Sequence, residues 1–223
     1  MNELNIVLDD ELYQNMNYYH VKNGPVILFL ELVSEGNLSS DIFSHTFVKR
    51  RSESLKMTEK EYQKEIIKPF KPLFQHKYKK LNIWTTLGMN TGMSLLLLLA
   101  YLDQIQDHNT INIHVFDDRM KKLEDYQITS KGYYNIYQKV LLKQEKPREI
   151  TINPIQIAIP YYLEYKKKNN CFKKFIRENI TLDSQMLYIK FMGKFAEYHF
   201  NDQQFIQLLH QCKKEKALLK CNL

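Results

Sequence analysis

The sequence predicts an α/β fold: a doubly wound, mostly parallel, Rossmann-like sheet over residues 1–147, followed by a small all-α domain over residues 148–223. Two patterns lead to this prediction. In the first part, short apolar runs alternate with segments of helical periodicity, which is typical of β–α–β units and parallel sheets. After Pro147 only helical patterns follow, so we place the domain boundary near residues 143–152.

Four apolar runs have the length and composition of buried strands. Crossovers between parallel strands are nearly always right-handed, and we expect the connecting helices to lie on both faces of the sheet. The four predicted strands are Leu4–Leu8, Val26–Leu32, Leu81–Thr86 and Ile111–Phe116.

An almost unbroken apolar stretch, Met93–Leu102, follows the third predicted strand. It has about half of the roughly 20 residues that a membrane span needs. We therefore predict a buried crossover helix that begins at Gly92 or Met93 and ends at Asn109, and no membrane partner.

Polar and amphipathic segments predict the remaining helices. Thr58 and Glu61 have the spacing of a capping box, in which each side chain satisfies a backbone N–H of the other residue. Pro69 and Pro72 should bend or break the helix that follows. Two further helices are predicted from their first residues: one is capped by Thr129 or Ser130 and ends at Leu142, and another starts at Asn153-Pro154. The remaining predicted helices are Glu11–Val21, Asn170–Glu178, Asp183–Tyr198 and Asp202–Leu219.

Composition and charge limit the class of protein. A hydrophobic content of 44% and an aromatic content of 13% exclude a disordered tail protein. The three cysteines are odd in number and form no C-x-x-C motif, and the first residues are acidic rather than basic and apolar. We therefore expect reduced thiols and a cytoplasmic location.

The loop Gly88–Gly92, between the third strand and the apolar helix, is the main candidate ligand site. Ligands of open parallel sheets bind beyond the carboxyl ends of the strands, and N–H groups at a helix amino terminus attract phosphate or carboxylate. Gly88 and Gly92 would let the backbone approach the ligand, and Asn90 and Thr91 would add polar side chains. The alternative is an ordinary βα turn, because the loop matches neither G-x-x-x-x-G-K-[ST] nor G-x-G-x-x-G.

Acidic residues end three of the predicted strands: Asp9 and Asp10, Glu31, and Asp117 with Asp118. Carboxylates that converge at a strand edge could position a ligand, bind Mg²⁺ or act as acid and base. They are also common at strand ends as helix caps and turn formers. We predict Asp10, Glu31 and Asp117 as ligand-binding residues, and we assign no catalytic residue, no metal ligand and no cofactor.

Histidine and cysteine spacing indicates no metal site and no nucleophile. The seven histidines show no H-x-x-x-H pattern, and no serine lies in a nucleophile elbow. His114 lies within a predicted strand, where we expect a packed core residue.

The basic tail supports a second hypothesis, because residues 151–223 hold 12 Lys and Arg against 6 Asp and Glu, a net charge of +6 out of +7 for the whole chain. The lysines of Lys166–Lys168 and Lys213–Lys216 could meet a phosphate backbone, although a solvated helix face is the plainer interpretation. Nucleic acid is thus an alternative partner. A third hypothesis is a structural module that forms a homodimer without any ligand, and the sequence does not decide whether the protein is an enzyme.

Several segments follow one another in the order of a known bacterial family, the domain of unknown function 1835. The run Ile6–Glu11 resembles the family's first strand and turn, with Asp10 matching and Asp9 and Glu11 replacing a glycine and a serine. The segments Glu31–Leu38 and Ile83–Leu99 are similar to its second strand with turn and to its leucine-rich helix, and Arg50-Arg51 to its arginine-bearing segment. The resemblance covers roughly residues 4–142, and the helical tail is similar to the family's frequent companion. It implies the α/β fold and no particular reaction.

Overall fold

The computed structural model describes residues 3–15, 24–29, 31–117, 119–149 and 152–221. The chain divides into two compact units, Met1–Pro160 and Tyr161–Leu223, and the division falls inside one helix. The boundary that we place near residues 143–152 stays a prediction.

The first unit contains a five-stranded sheet with the strand order β2-β1-β3-β4-β5. The first four of these strands are parallel, and β5 is antiparallel to β4. Together with flanking helices, this sheet confirms the α/β class. The strands are β1 (Glu3–Val7), β2 (Val26–Leu28), β3 (Lys80–Thr86), β4 (Ile111–Phe116) and β5 (Lys122–Ile128).

Strand β5 is the one strand of this sheet that the sequence analysis missed. Most of its residues are exposed, and its sequence KLEDYQI carries charges where a buried strand would carry apolar side chains. Charged residues on an edge strand discourage pairing with other chains, and they also remove the hydrophobic pattern that reveals a strand. Strand β2 is shorter than predicted, and Leu30 of the predicted run lies outside the described residues.

The apolar helix is α5, Met89–Gln104, and thirteen of its sixteen residues are buried. It connects β3 to β4, so the prediction of a buried crossover helix is confirmed. It ends five residues before the predicted end at Asn109. No helix in the described part of the chain is both long and apolar enough to cross a membrane.

The capping box at Thr58 is confirmed. The Thr58 Oγ1 accepts the Glu61 N–H at 3.2 Å, and the Glu61 carboxylate accepts the Thr58 N–H at 2.7 Å. The predicted break at the prolines is also present, because a 3₁₀ turn (Lys68–Phe70) that contains Pro69 separates a π-helical turn (Gln63–Ile67) from the helix that contains Pro72. The helices on this stretch and before it are α1 (Asp10–Gln14), α2 (His45–Leu55), α3 (Glu59–Tyr62) and α4 (Lys71–Phe74).

Helix α6 (Tyr133–Tyr137) begins later than predicted. Gly132 occupies the cap position, and the Asp103 carboxylate accepts the N–H groups of Gly132 and Tyr134, each at 3.0 Å. Ser130 does not cap this helix, because its hydroxyl donates to the Asp107 carbonyl at 2.7 Å. A carboxylate that is distant in sequence has replaced the local cap that the pattern indicates. A π-helical turn (Gln138–Leu142) follows, and then α7 (Asn153–Lys166).

The described residues of the second unit form helices around an aromatic cluster. The Phe172 ring centroid lies 4.9 Å from that of Phe195 and 4.8 Å from that of Phe200. The predicted helices that start at Asn170 and Asp183 are both present, and these two residues are their N-caps, although the second helix ends at Lys194 rather than at the predicted Tyr198. The helices are α8 (Cys171–Glu178), α9 (Ser184–Lys194) and α10 (Asp202–Cys221).

Candidate functional site

The strand order reverses between β1 and β3. From β1 the chain moves outward to β2, and then returns past β1 to β3 and β4. In open α/β sheets, ligands bind in the crevice beyond the carboxyl ends of the strands at such a reversal. Because β1 to β4 are parallel, their carboxyl ends lie at the same edge of the sheet. Asp9 and Asp10, Glu31 and Asp117 follow the strands at this edge.

Asp9 and Asp10 follow β1 but differ in their surroundings. The Asp9 carboxylate caps α1 by accepting the Leu12 N–H at 2.9 Å, and it accepts the Thr86 hydroxyl at 3.1 Å. It therefore joins β1 to β3 across the reversal. Asp10 is exposed, and no described residue forms a hydrogen bond or ion pair with its side chain. Among the three predicted ligand-binding carboxylates, Asp10, Glu31 and Asp117, Asp10 is the one whose side chain is exposed.

Glu31 lies on the next strand connection and is 2% exposed. Its Oε1 accepts the Arg51 Nε–H at 2.6 Å, and its Oε2 accepts the Tyr62 hydroxyl at 2.8 Å. Burial, together with the adjacent Glu31 carboxylate, raises the pKa of Tyr62 above its usual range, so the phenol stays a proton donor. Both carboxylate oxygens are thus engaged within the protein, which favours a structural role for Glu31.

The amino end of α5 lies at the carboxyl end of β3. Gly88 is the N-cap residue, in an extended conformation, and no side chain caps the helix. Asn90 accepts a hydrogen bond from the Ser34 hydroxyl at 2.7 Å, and the Thr91 hydroxyl donates to the Thr86 carbonyl at 3.0 Å. The two polar side chains therefore hold the loop together, and the helix N–H groups are left without a side-chain cap.

Gly92 allows close packing of α5 against α7. A Cβ atom at this position would lie 2.3 Å from the Ala158 Cβ and 2.5 Å from the Pro154 carbonyl oxygen. The absence of a side chain therefore has a packing explanation that does not involve a ligand.

Asp117 follows β4 and shapes the β4–β5 turn. Its Oδ1 accepts the N–H groups of Arg119 at 2.9 Å and of Lys121 at 2.8 Å. Neighbouring strands are about 4.8 Å apart, so Asp117 lies about two strand spacings, roughly 10 Å, from the strand that precedes Asp10. Among the described residues no three His, Cys, Asp or Glu side chains lie together as a metal site would require; Asp118 lies outside the described residues.

A second polar cluster lies on one face of the sheet and was missed by the sequence analysis. It contains four amide side chains, one from each of β1, β3, β4 and β5, joined by hydrogen bonds across the strands. Asn82 donates to Asn5 at 3.0 Å, Asn112 to Asn82 at 3.1 Å, and Gln127 to Asn112 at 3.4 Å. The identical strand positions of the asparagines could have revealed this row, but only with the strand register known.

Trp84, His114 and Asp125 form the next row of the same face. The Trp84 and His114 ring centroids are 4.2 Å apart, and the His114 Nδ1 lies 2.6 Å from the Asp125 Oδ1. Burial lowers the pKa of His114, although the Asp125 carboxylate acts in the opposite direction. Partial burial alone would raise the pKa of Asp125, but hydrogen bonds from Lys122 and His114 hold it below its usual range. The His114 side chain is 20% exposed, so this residue is half-buried rather than the packed core residue that we expect from its strand position.

A cavity of about 680 Å³ lies beside the edge strand β2. Its walls are mainly apolar and come from β2 and from the segment that contains Pro69 and Pro72. None of the seven predicted ligand-binding residues lines this cavity. The lining residues are Tyr13, Pro25–Phe29, Glu65, Ile66, Pro69, Phe70 and Pro72. An apolar cavity of this kind does not fit a phosphate or carboxylate group.

No protein-family model, no curated protein and no solved structure matches the chain.

Proposed function

We propose that this chain binds a small ligand bearing a phosphate or carboxylate, at the carboxyl edge of the sheet between β1 and β3. The proposal includes a doubly wound, Rossmann-like sheet, a small all-α C-terminal domain and a cytoplasmic location. Membership of the domain of unknown function 1835 family is part of the same proposal and rests on the order of the segments described above.

The observation that carries the proposal is the uncapped amino end of α5 at the reversal of strand order. The first N–H groups of a helix have no partner within the helix, and they carry partial positive charge. Within the described part of the chain, nothing accepts a hydrogen bond from the Met89 N–H. An anionic group of a ligand would supply that acceptor.

The predicted ligand-binding residues then take different roles. Asp10, exposed at the start of α1, would accept hydrogen bonds from hydroxyl or amino groups of the ligand. Gly88 and Asn90 shape the loop that presents the N–H groups. Glu31 and Asp117 contribute indirectly, because their carboxylates hold neighbouring segments in place and do not contact the ligand. Thr91 and Gly92 likewise fix the first turn of α5.

The test is a thermal-shift screen of the purified chain against nucleotides, sugar phosphates, small carboxylic acids and divalent metal ions. A ligand at 100 times its dissociation constant stabilises the folded state by about 2.7 kcal/mol, which raises the melting temperature by several degrees at this size. Asp10→Ala should abolish the shift. Glu11→Ala is the matched control, because Glu11 is also exposed and lies one residue further along α1. A shift that survives Asp10→Ala and Asn90→Ala argues against this site.

The alternative of nucleic acid bound to the basic tail has weaker structural support. Lys167 pairs with Glu164 at 2.6 Å and Arg177 with Glu215 at 3.1 Å, which neutralises part of the positive charge. That alternative predicts binding that falls steeply with salt and is unchanged by Asp10→Ala. A ligand-free homodimer predicts a dimer whose melting temperature responds to protein concentration and to no ligand in the panel.

A further inference from the structure

Four polar side chains on β4 and β5 form a plate on the surface of the sheet. Asn112 lies opposite Gln127, and His114 lies opposite Asp125. Paired residues on neighbouring strands point to the same face. The two pairs are two residues apart along the strands, or about 7 Å. The plate therefore measures about 5 Å by 7 Å, which is close to the size of a planar heterocycle.

The plate is open to solvent and has unused hydrogen-bonding capacity. The Asp125 side chain is 52% exposed, the His114 side chain is 20% exposed, and Gln127 is exposed. The His114 Nδ1 faces Asp125 at 2.6 Å, so the Asp125 carboxylate accepts its proton and the Nε2 of the neutral ring is an acceptor. Gln127 uses one N–H toward Asn112, which leaves its other N–H and its carbonyl oxygen.

An aromatic pair supports one side of the plate. The Trp84 ring lies against His114 with centroids 4.2 Å apart, and the two planes are inclined by 36°. The Trp84 ring also stacks on Phe116 at 6.0 Å. These contacts hold the imidazole in a fixed orientation, so that its ring can act as a stacking surface.

Cationic side chains lie at both ends of the same face. Lys80, at the start of β3, is 51% exposed and pairs with Glu3 at 3.6 Å. Lys122, at the start of β5, is 49% exposed and pairs with the Asp125 Oδ2 at 2.6 Å. Lys79, Arg119 and Lys121 are exposed next to them in sequence. Because carboxylates neutralise part of the charge of Lys80 and Lys122, a phosphate attached to a heterocycle on the plate would meet mainly Lys79 at one end and Arg119 and Lys121 at the other.

We infer that this plate is a binding site for a nucleobase that carries a phosphate, separate from the strand-end site. The base stacks on the His114 imidazole, and Gln127 and Asn112 contact its polar edge. Asp125, whose two oxygens face His114 and Lys122, holds the imidazole in place. Both donors and acceptors are present, as the edges of nucleobases require. The same chemistry occurs in free mononucleotides and in single-stranded RNA or DNA, where bases stack on aromatic side chains of open sheets.

The chain contains one tryptophan, Trp84, which reports directly on this site. The experiment titrates the full chain with adenosine and uridine monophosphates, with short single-stranded oligonucleotides of the same bases, and with inorganic phosphate, while Trp84 emission is recorded. We expect saturable quenching by the nucleotides and none by phosphate. If the oligonucleotides bind far more tightly than the monophosphates, and their affinity falls steeply with salt, the natural ligand is single-stranded nucleic acid. If the affinities are equal, the natural ligand is the free nucleotide.

Two variants make the result specific. His114→Ala should weaken binding by about 5- to 100-fold through loss of stacking, and Gln127→Ala should weaken it less while leaving the exposed strand folded. His45→Ala is the matched control, because the His45 side chain is 83% exposed and lies on α2. The inference is overturned if no nucleotide quenches Trp84, or if quenching is unchanged in both His114→Ala and Gln127→Ala.

Discussion

Glu31 and Arg51 form an ion pair in which both side chains are completely shielded from solvent. Arg51 also donates to the Leu32 carbonyl at 2.9 Å and to the Glu35 carbonyl. The pair thereby attaches the loop after β2 to α2. Ser34 of that loop contacts Asn90 at the start of α5, so the pair indirectly positions the candidate ligand loop.

We predict that Arg51→Met destabilises the protein by about 3–5 kcal/mol, because Glu31 would then be a buried charge without its partner. Urea denaturation measures the change in the free energy of unfolding. Arg50→Met is the control, since Arg50 is exposed, and it should change the stability by less than about 1 kcal/mol. The double variant Glu31→Leu with Arg51→Met should be more stable than Arg51→Met alone; equal or lower stability would contradict the assigned pairing.

Gly92→Ala should destabilise the protein by about 1–3 kcal/mol, because the added methyl group overlaps Ala158 and the Pro154 carbonyl. Gly193 provides a matched helix position where a Cβ meets nothing within 4 Å. Gly193→Ala should stabilise by about 0.5–1 kcal/mol through helix propensity. Thermal and urea unfolding measure the change in stability of both variants. Stabilisation by Gly92→Ala would show that α5 and α7 are not in close contact here.

Asp117→Ala should destabilise the β4–β5 turn by about 1 kcal/mol, because the N–H groups of Arg119 and Lys121 lose their acceptor. Asp117→Asn keeps an acceptor oxygen and should be close to neutral. Urea denaturation gives the free energy of unfolding of each of the two variants. If Asp117→Asn is as destabilising as Asp117→Ala, the negative charge matters more than the turn geometry.

Stability should fall as the pH decreases through the ordinary pKa of histidine, 6.5, because the pKa of His114 is lowered in the folded state. In that range the unfolded chain binds the proton more readily than the folded chain does, so acid favours unfolding. The measurement is the free energy of unfolding between about pH 8 and about pH 5, for the native chain and for His114→Gln. As the pH decreases, the free energy of unfolding of the native chain should fall relative to that of His114→Gln. If the native chain instead gains stability relative to His114→Gln toward low pH, the effect of the Asp125 carboxylate on the His114 pKa outweighs that of burial.

The parts of the fold that follow from local pattern were predictable. Strand β4 and helix α5 carry long apolar signals, and the starts of α8 and α9 near Asn170 and Asp183 depend on neighbouring residues alone. Strand β5 was not predictable, because its polar sequence gains its structure from pairing with β4. Local pattern shows which side chains are apolar, and it does not show which distant strand they will meet.

The candidate site shows the same limit. The strand-end positions of Asp10 and Asp117 follow from where the apolar runs stop. The burial of Glu31 does not, since it depends on Arg51 and Tyr62, twenty and thirty-one residues away. His114 and Asp125 are likewise brought together by strand register, which composition does not encode.

The most direct test of strand-end ligand binding removes one backbone donor. Met89→Pro and Met89→Ala both lose the buried side chain, but only proline lacks the N–H, and the first helical position tolerates proline. The measurement is calorimetric titration of both variants with the phosphate- or carboxylate-bearing compound that gives the largest thermal shift. We predict binding at least about tenfold weaker for Met89→Pro than for Met89→Ala, the loss of about one charge-assisted hydrogen bond. Equal affinities, or no compound in the panel that shifts the melting temperature, would contradict the proposed site.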